Sequence, residues 1–370
     1  MNENEFTRPP LASLACVNEF CDLYGKKNQD NLTVRKVYGK AQIRYLRCRS
    51  CQQEFSERKG TALWNVKIAE YKAISIARHL GEGCSFKSTA RLVEVDPETV
   101  RRLNRRIGGH SRQFHEERVW DVVVSSLQAD ERWGFACNKQ NLVWEAELID
   151  PLSKFVIAHE QGPRNKVMIR RLLEDGAQRL YDKHSVALFT DGEPSYASVF
   201  PEVFGIPHYP ERNGRRGRWP KVRYRIPRSL AHVQVVKNRS GKKLRSVEIR
   251  YRHGTRKRVM NELFELGYHK ANTSIIERRN ATARMMNSMQ RRKTLAFARH
   301  SEAKLALGWW TLTVYNWCRP HRMLRSKVEQ YYGKSKYVER TPAMVVGVAR
   351  EIFTEEMVLR TQVFQSKGWR

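Results

Sequence analysis

The spacing of apolar residues changes along the chain, and each change marks a part. Ile68, Tyr71, Ile74, Ile76 and Ala77 predict a first helix ending near Gly81. A second helix is expected from about Phe86 to Val93, with "EVD" as the turn after it. Asp96 suits an N-cap, and Pro97 suits the first helical position, where a missing N–H costs nothing. The third helix, Pro97–Ile107, places Val100, Leu103 and Ile107 on one face. Beyond residue 120 the pattern becomes strand-like. "LQADERWGFA" (127–136) reads as a strand, and Leu142–Ile149 with Lys154–His159 as a hairpin turning at Asp150-Pro151. "NKVMIRRLLEDGAQRLYDK" returns to helical period, and Val186–Phe189 is a short buried strand that breaks at Thr190-Asp191-Gly192. A helix is expected over Ser274–Met289. Another, "SEAKLALGWWTLTVYNWC", carries Leu305, Trp309, Trp310 and Leu312, mostly for the core.

The first 65 residues have no long period, but their cysteines are paired. Cys16-x4-Cys21 and Cys48-x2-Cys51 flank the strand-like runs "NLTVRKVYG" and "AQIRYLRC". Two short pairs at this separation suit four thiolates around one Zn²⁺, the layout of a zinc ribbon. In so small a segment the metal would supply much of the folding energy. The plainer alternative is four separately buried cysteines. Cys84, Cys137 and Cys318 are expected as small apolar fillers.

Charge changes the picture further. The 370 residues hold 69 Lys+Arg against 38 Asp+Glu, a net +31. Such an excess calls for a polyanion, nucleic acid first and an anionic membrane second. No run of 18 apolar residues is present, and the polar start makes a poor signal peptide. The chain is therefore expected to be intracellular and reduced, with no membrane partner. The outward face of the third helix, Arg101, Arg102, Asn104, Arg105 and Arg106, together with Lys87, fits a helix-turn-helix in a major groove. The plainer reading of that face is a solvated basic helix. Glu94 stands where the turn often has glycine.

The order strand, hairpin, helix, strand is that of a ribonuclease-H-like fold, in which the first and fourth strands lie side by side. Asp130 on the first, Asp191 at the end of the fourth and Glu277 on a later helix would then converge. Three carboxylates suit two Mg²⁺ (or Mn²⁺) ions about 4 Å apart. Glu131 and Glu193 sit close enough in sequence to compete for the same role.

"LQADERWGFA", "ALFTDGEPSYASVF" and "NTSIIERRNATAR" resemble the three blocks of a DDE transposase of the insertion-sequence-one type. The resemblance covers most of 16–318. "YNWCRPHRML" (315–324) and "TPAMVVGVA" (341–349) are similar to motifs near the C-termini of such transposases. It implies a multidomain α+β chain. A zinc ribbon (1–65) and a helix-turn-helix domain (66–115) would precede a ribonuclease-H-like α/β catalytic domain (116–325) and a C-terminal helical tail (326–370). Asp130, Asp191 and Glu277 would hold Mg²⁺, and Arg278 and Arg284 would contact phosphate. The ribbon and helix-turn-helix would read the terminal inverted repeats of a mobile element. The protein would act on double-stranded DNA, at element ends and target, as a homodimer or larger homo-oligomer. Its place would be the cytoplasm of a prokaryotic cell, with the nucleoid.

One departure is large: Asp191 to Glu277 spans 277 − 191 = 86 residues. Residues 211–260 carry 18 Lys/Arg against Glu211 and Glu248. A basic insertion over about 206–270 is expected, folded or ordered by DNA, with Trp219, Tyr224 and Tyr251 able to pack or stack on bases. The alternative is a disordered loop. Two other functions fit parts of the chain: a sequence-specific regulator without catalysis, and a structure-selective metal-dependent nuclease.

Overall fold

The computed structural model describes residues 9–39, 41–211, 219–241, 243–328 and 336–364. The acidic start, part of the basic segment (212–218 and 242) and parts of the tail (329–335 and 365–370) lie outside them.

Alternating apolar and polar residues build an antiparallel sheet from β1 (Leu32–Tyr38), β2 (Ile43–Cys48) and β3 (Glu54–Ser56). Its small core is Leu14, Leu32, Leu46 and Phe55 with three of the cysteines. Helices α1 (Glu70–Gly81) and α2 (Phe86–Val93) follow, and Ser85 caps α2 by accepting from Ser88 N. Glu94 takes φ 55°, the left-handed conformation that closes the turn. Asp96 caps α3 by accepting from Glu98 N, with Pro97 first in the helix.

Helix α3 (Pro97–Arg118) runs well past the expected end at Ile107. The cause is tertiary. Gly108 lies against α8 (Ser301–Thr313), where a Cβ would come within 2.3 Å of Ala306 Cα. The pair Gly108-Gly109, which looks like a stop, is instead a close approach between helices. The position expected as a domain boundary, residue 115, falls inside α3. One buried cluster extends from Ala62 to Val363, so the first helices and the large sheet share a core.

The chain then forms β4 (Ser126–Arg132), the small hairpin β5 (Phe135–Ala136) and β6 (Asn138–Leu142), β7 (Trp144–Ile149) and β8 (Val156–Gly162). Next come α4 (Lys166–Arg179), β9 (Ala187–Thr190), α5 (Pro194–Phe204), β10 (Ile206–His208) and β11 (Arg223–Arg225). They lead to β12 (Ala231–Ser240), β13 (Lys243–His253), α6 (Arg256–Glu265) and α7 (Ser274–Met286). The first strand thus stops at Arg132 rather than 136, and α7 ends at Met286 rather than Met289.

The main sheet has the order β13-β12-β9-β4-β7-β8. β9 is parallel to β4 and to β12, and the other pairs are antiparallel. The first and fourth strands of this sheet, β4 and β9, are neighbours, with Leu127 opposite Leu188. This mixed sheet is compatible with a ribonuclease-H-like domain.

The basic segment needs correction. It is not an insertion set apart from the sheet: β12 is an inner strand, with Ala231, Val233 and Val235 buried. α6 packs Val259 and Leu263 into the same cluster as Phe189. A disordered loop is excluded for the described residues from 219 to 265. The tail also differs from a helical one, since Ser326–Lys327 and Tyr337–Val338 pair as strands before two short helices. No described helix is long and apolar enough to cross a membrane.

Two buried histidines join α3 to its surroundings. His110 Nε2 bonds Thr361 O and His115 Nε2 bonds Ile157 O, both at 2.8 Å. Burial pulls them down to about 4 and about 3. The unfolded chain protonates first as pH falls below about 6.5. Their contribution to stability is complete above that value and shrinks as pH drops toward the folded values. The expected loss is on the order of 2 kcal/mol per histidine by pH 5. Urea unfolding at pH 7 and pH 5 should show a shallower pH dependence for His115→Gln than for the wild type; equal slopes would refute it.

Candidate active site

Because β4 and β9 are parallel with Ala129 opposite Thr190, Asp130 and Asp191 come next at the same end of the sheet. Asp130 Oδ1 accepts from Glu131 N at 2.8 Å, and Asp191 Oδ1 accepts from Glu193 N at 3.0 Å. Carboxylate oxygens of Asp130, Glu131 and Asp191 all lie within 4.8 Å of one another. Arg164 ties the group together, with Nη2 at 3.0 Å from Glu131, 3.7 Å from Asp191 and 3.5 Å from Glu193.

The cluster is electrostatically tense. Burial, then the charge of Asp191, pushes Asp130 up to about 6. Burial pushes Glu131 up to about 7, and burial also raises Asp191. The buried Tyr196 hydroxyl beside Glu131 offsets part of that rise. Converging carboxylates with raised proton affinities are what a hard divalent cation would relieve. The residues present fit such an ion.

Glu277 lies on the first turn of α7 but outside that trio. Its carboxylate pairs with Lys237 of β12 and accepts from Thr273 Oγ1 at 2.7 Å. Burial pushes Glu277 up, but these two partners outweigh it and hold it below its ordinary value. Its charge still raises Asp130 and Asp191, so the three are electrostatic neighbours. Arg278 is exposed. Arg284 is half-buried; burial, then the charges of Arg292 and Arg132, holds its proton affinity down, with Asp130 and Glu145 opposing.

Beneath the acids is a charge network that sequence reasoning missed. Arg132 Nη2 donates to Glu145 Oε2 and Glu147 Oε1, each at 2.7 Å. Arg279 Nε meets Glu147 Oε2 at 2.9 Å, and Lys304 Nζ meets Glu145 Oε1 at 2.5 Å. All five side chains are at most 2% exposed. A signal existed: Glu145 and Glu147 occupy alternate positions of the expected strand Leu142–Ile149, and Arg132 has the same parity as Asp130.

On the first helices, Lys87, Arg102, Arg105 and Arg106 are exposed and Arg101 is half-buried. Arg101 pairs with Glu98, Arg102 lies 3.7 Å from it, and Arg106 donates to Trp64 O. Asn104 corrects the expected DNA-facing set. It is fully buried, and its Nδ2 donates to Ala303 O at 3.0 Å. The helical wheel allowed α3 one packed face, whereas α8 covers a second.

The four paired cysteines converge, with sulfurs within 4.8 Å of one another. Asn31 Nδ2 points at Cys48 Sγ at 3.1 Å and Leu23 N at Cys21 Sγ at 3.4 Å. Burial pushes the Cys16 thiol far up, while donors around Cys51 bring it down to about 7. Four separately buried thiols would not share one centre, and donors aimed at sulfur suit thiolates on a structural metal. Chelation, or Cys48→Ser, is expected to unfold residues 16–56 and leave the large sheet intact. Zinc content near one ion per chain and protease cleavage confined to that segment would be the readout. A metal-free chain that resists protease there would refute it.

No family model matches the chain, and no curated protein matches it. Among solved structures, it is similar to the crystal structure of the Mos1 strand transfer complex, at 14% identity and a TM-score of 0.17. That match covers 36% of this chain and 54% of the other, so the chain spans about half of that protein's length. It is also similar to the crystal structure of a pre-cleavage Mos1 transpososome, at 11% identity and a TM-score of 0.20, over 68% of this chain and 80% of the other.

Proposed function

We propose that the chain is a DDE-type transposase of the insertion-sequence-one kind. It would bind the terminal inverted repeats of a mobile element and carry out Mg²⁺- or Mn²⁺-dependent strand cleavage and strand transfer. The observation that carries the reading is the convergence of Asp130, Glu131 and Asp191 at the ends of neighbouring parallel strands, in a chain of net charge +31. Asp130 and Asp191 are the proposed shared ligands. Glu277 is the proposed third, exchanging the Lys237 ammonium for a metal cation. Glu131 would stay on Arg164, whose guanidinium also reaches toward Asp191. Two ions held there would activate an attacking oxygen and stabilise a leaving one.

The rest is positioning. Arg278 and Arg284 would neutralise the phosphate brought to the acids. Lys87, Arg101, Arg102, Arg105 and Arg106 would hold the duplex. Arg239, Lys243 and Arg245, exposed on the β12–β13 hairpin, would grip a flanking strand. In the first step water attacks phosphorus and the 3′ oxygen leaves as a hydroxyl. In the second that hydroxyl attacks a target phosphorus and a target 3′-OH leaves. Two ends must meet, which calls for a homodimer or larger assembly.

The test is incubation of the full chain with Mg²⁺ and DNA carrying the sequences that flank its gene. Free 3′-OH ends and joined products are expected. DNA that is bound but never cut would favour a regulator. Cleavage of branched DNA without joining would favour a structure-selective nuclease.

A further inference from the structure

We infer that Asn280 is a positioning residue that aims the Asp130 carboxylate, linking it to the buried charge network. The inference rests on the reading of Asp130 as a cation ligand.

Helix α7 lies across β4, and Gln128, Asp130 and Arg132, two apart on one strand face, each meet it. Gln128 Oε1 accepts from Ile276 N at 3.0 Å, and its Nε2 donates to Asn272 O at 3.1 Å. One turn on, Asn280 Nδ2 donates to Asp130 Oδ2 at 2.8 Å, and Arg132 Nη1 donates to Asn280 Oδ1 at 3.2 Å. Four helical residues advance about 6 Å, and two strand residues about 6.7 Å. The two amides therefore lock the register of helix on strand.

The partners also assign the amide's direction. A guanidinium only donates and a carboxylate only accepts. Asn280 must turn its oxygen to Arg132 and its N–H to Asp130. Asn280 is 3% exposed, so its amide has little access to water. A direct arginine on Asp130 would engage both oxygens and offset the anion's charge. The neutral amide holds one oxygen, Glu131 N holds the other, and each keeps a lone pair for a cation. Arg132 is meanwhile neutralised by Glu145 and Glu147. Asn280 thus fixes Asp130 without quenching it.

The test is Mn²⁺ titration of the full chain by calorimetry, with melting temperatures measured alongside. Asn280→Leu keeps the branched shape, is bulkier, and removes both bonds. Asn280→Asp keeps the acceptor for Arg132 and removes the donor to Asp130. Each is expected to weaken Mn²⁺ binding at least about tenfold. A purely structural role would lower the melting temperature and leave the affinity of the folded protein unchanged. If Asn280→Leu does not fold, the Asp variant decides. Folded variants that bind Mn²⁺ within twofold of wild type, or more tightly, overturn the inference. A wild type that binds no Mn²⁺ overturns the metal site itself, and the inference with it.

Discussion

Asp191→Asn is expected to lower DNA cleavage at least about 10³-fold, roughly 4 kcal/mol of transition-state stabilisation, while raising the melting temperature. The two signs have one cause. Asp191 sits among like charges, and burial and its acidic neighbours hold its proton affinity up. Removing its charge relieves Asp130, on which Asp191 is the largest charge effect. The asparagine oxygen can still accept from Glu193 N, so the loop keeps its shape. Arg164 retains Glu131 and Glu193. DNA affinity, supplied by a net charge of +31, should stay within about twofold. Single-turnover cleavage, gel-shift affinity and thermal melts measure the three quantities. A variant that cuts like wild type would sink the proposed site. A melting temperature that falls would sink the electrostatic account of it.

Glu147→Gln should cost about 3–5 kcal/mol of stability. Glu147 is wholly buried between two guanidiniums. Burial alone would raise it, but Arg132 and Arg279 outweigh that and hold it well below the ordinary glutamate value. With a neutral amide there, Arg279 loses its ion partner in the network, and Arg132 and Lys304 share Glu145. The uncompensated cations lie under α7, so that helix should loosen first. Replacing Glu147 and Arg279 together by leucine should recover part of the loss, because a matched pair of charges leaves together. Urea unfolding of the single and double variants is the measurement. A single variant within 1 kcal/mol of wild type would show that the network does not stabilise the fold.

The site was partly legible. Asp130 and Asp191 were readable because strand period and a breaking turn place them, and both cues are local. The cysteine pairs were readable from spacing, and the start of α3 from Asp96 and Pro97. Asn280 stood in a block singled out for its resemblance, but nothing in the residues alone assigned it a partner. Asn104 was misread because a helical wheel cannot know that a second helix, 199 residues away, covers another face. β12 was misread because its charges were counted before its alternation, in which Ala231, Val233 and Val235 face the core.

What the sequence alone determined is what neighbours along the chain decide: helix starts, turns, the cysteine pairs, the acids at strand ends and the polyanion-seeking charge. The tertiary structure decided which distant groups meet. It gave Glu277 to Lys237, put Glu131 beside Asp191, placed Asn280 on Asp130 and buried Arg132 between two glutamates. Local rules act over a few residues through backbone geometry. Pairings between groups from 13 to 150 residues apart depend on register and packing, and those exist only once the sheet is assembled.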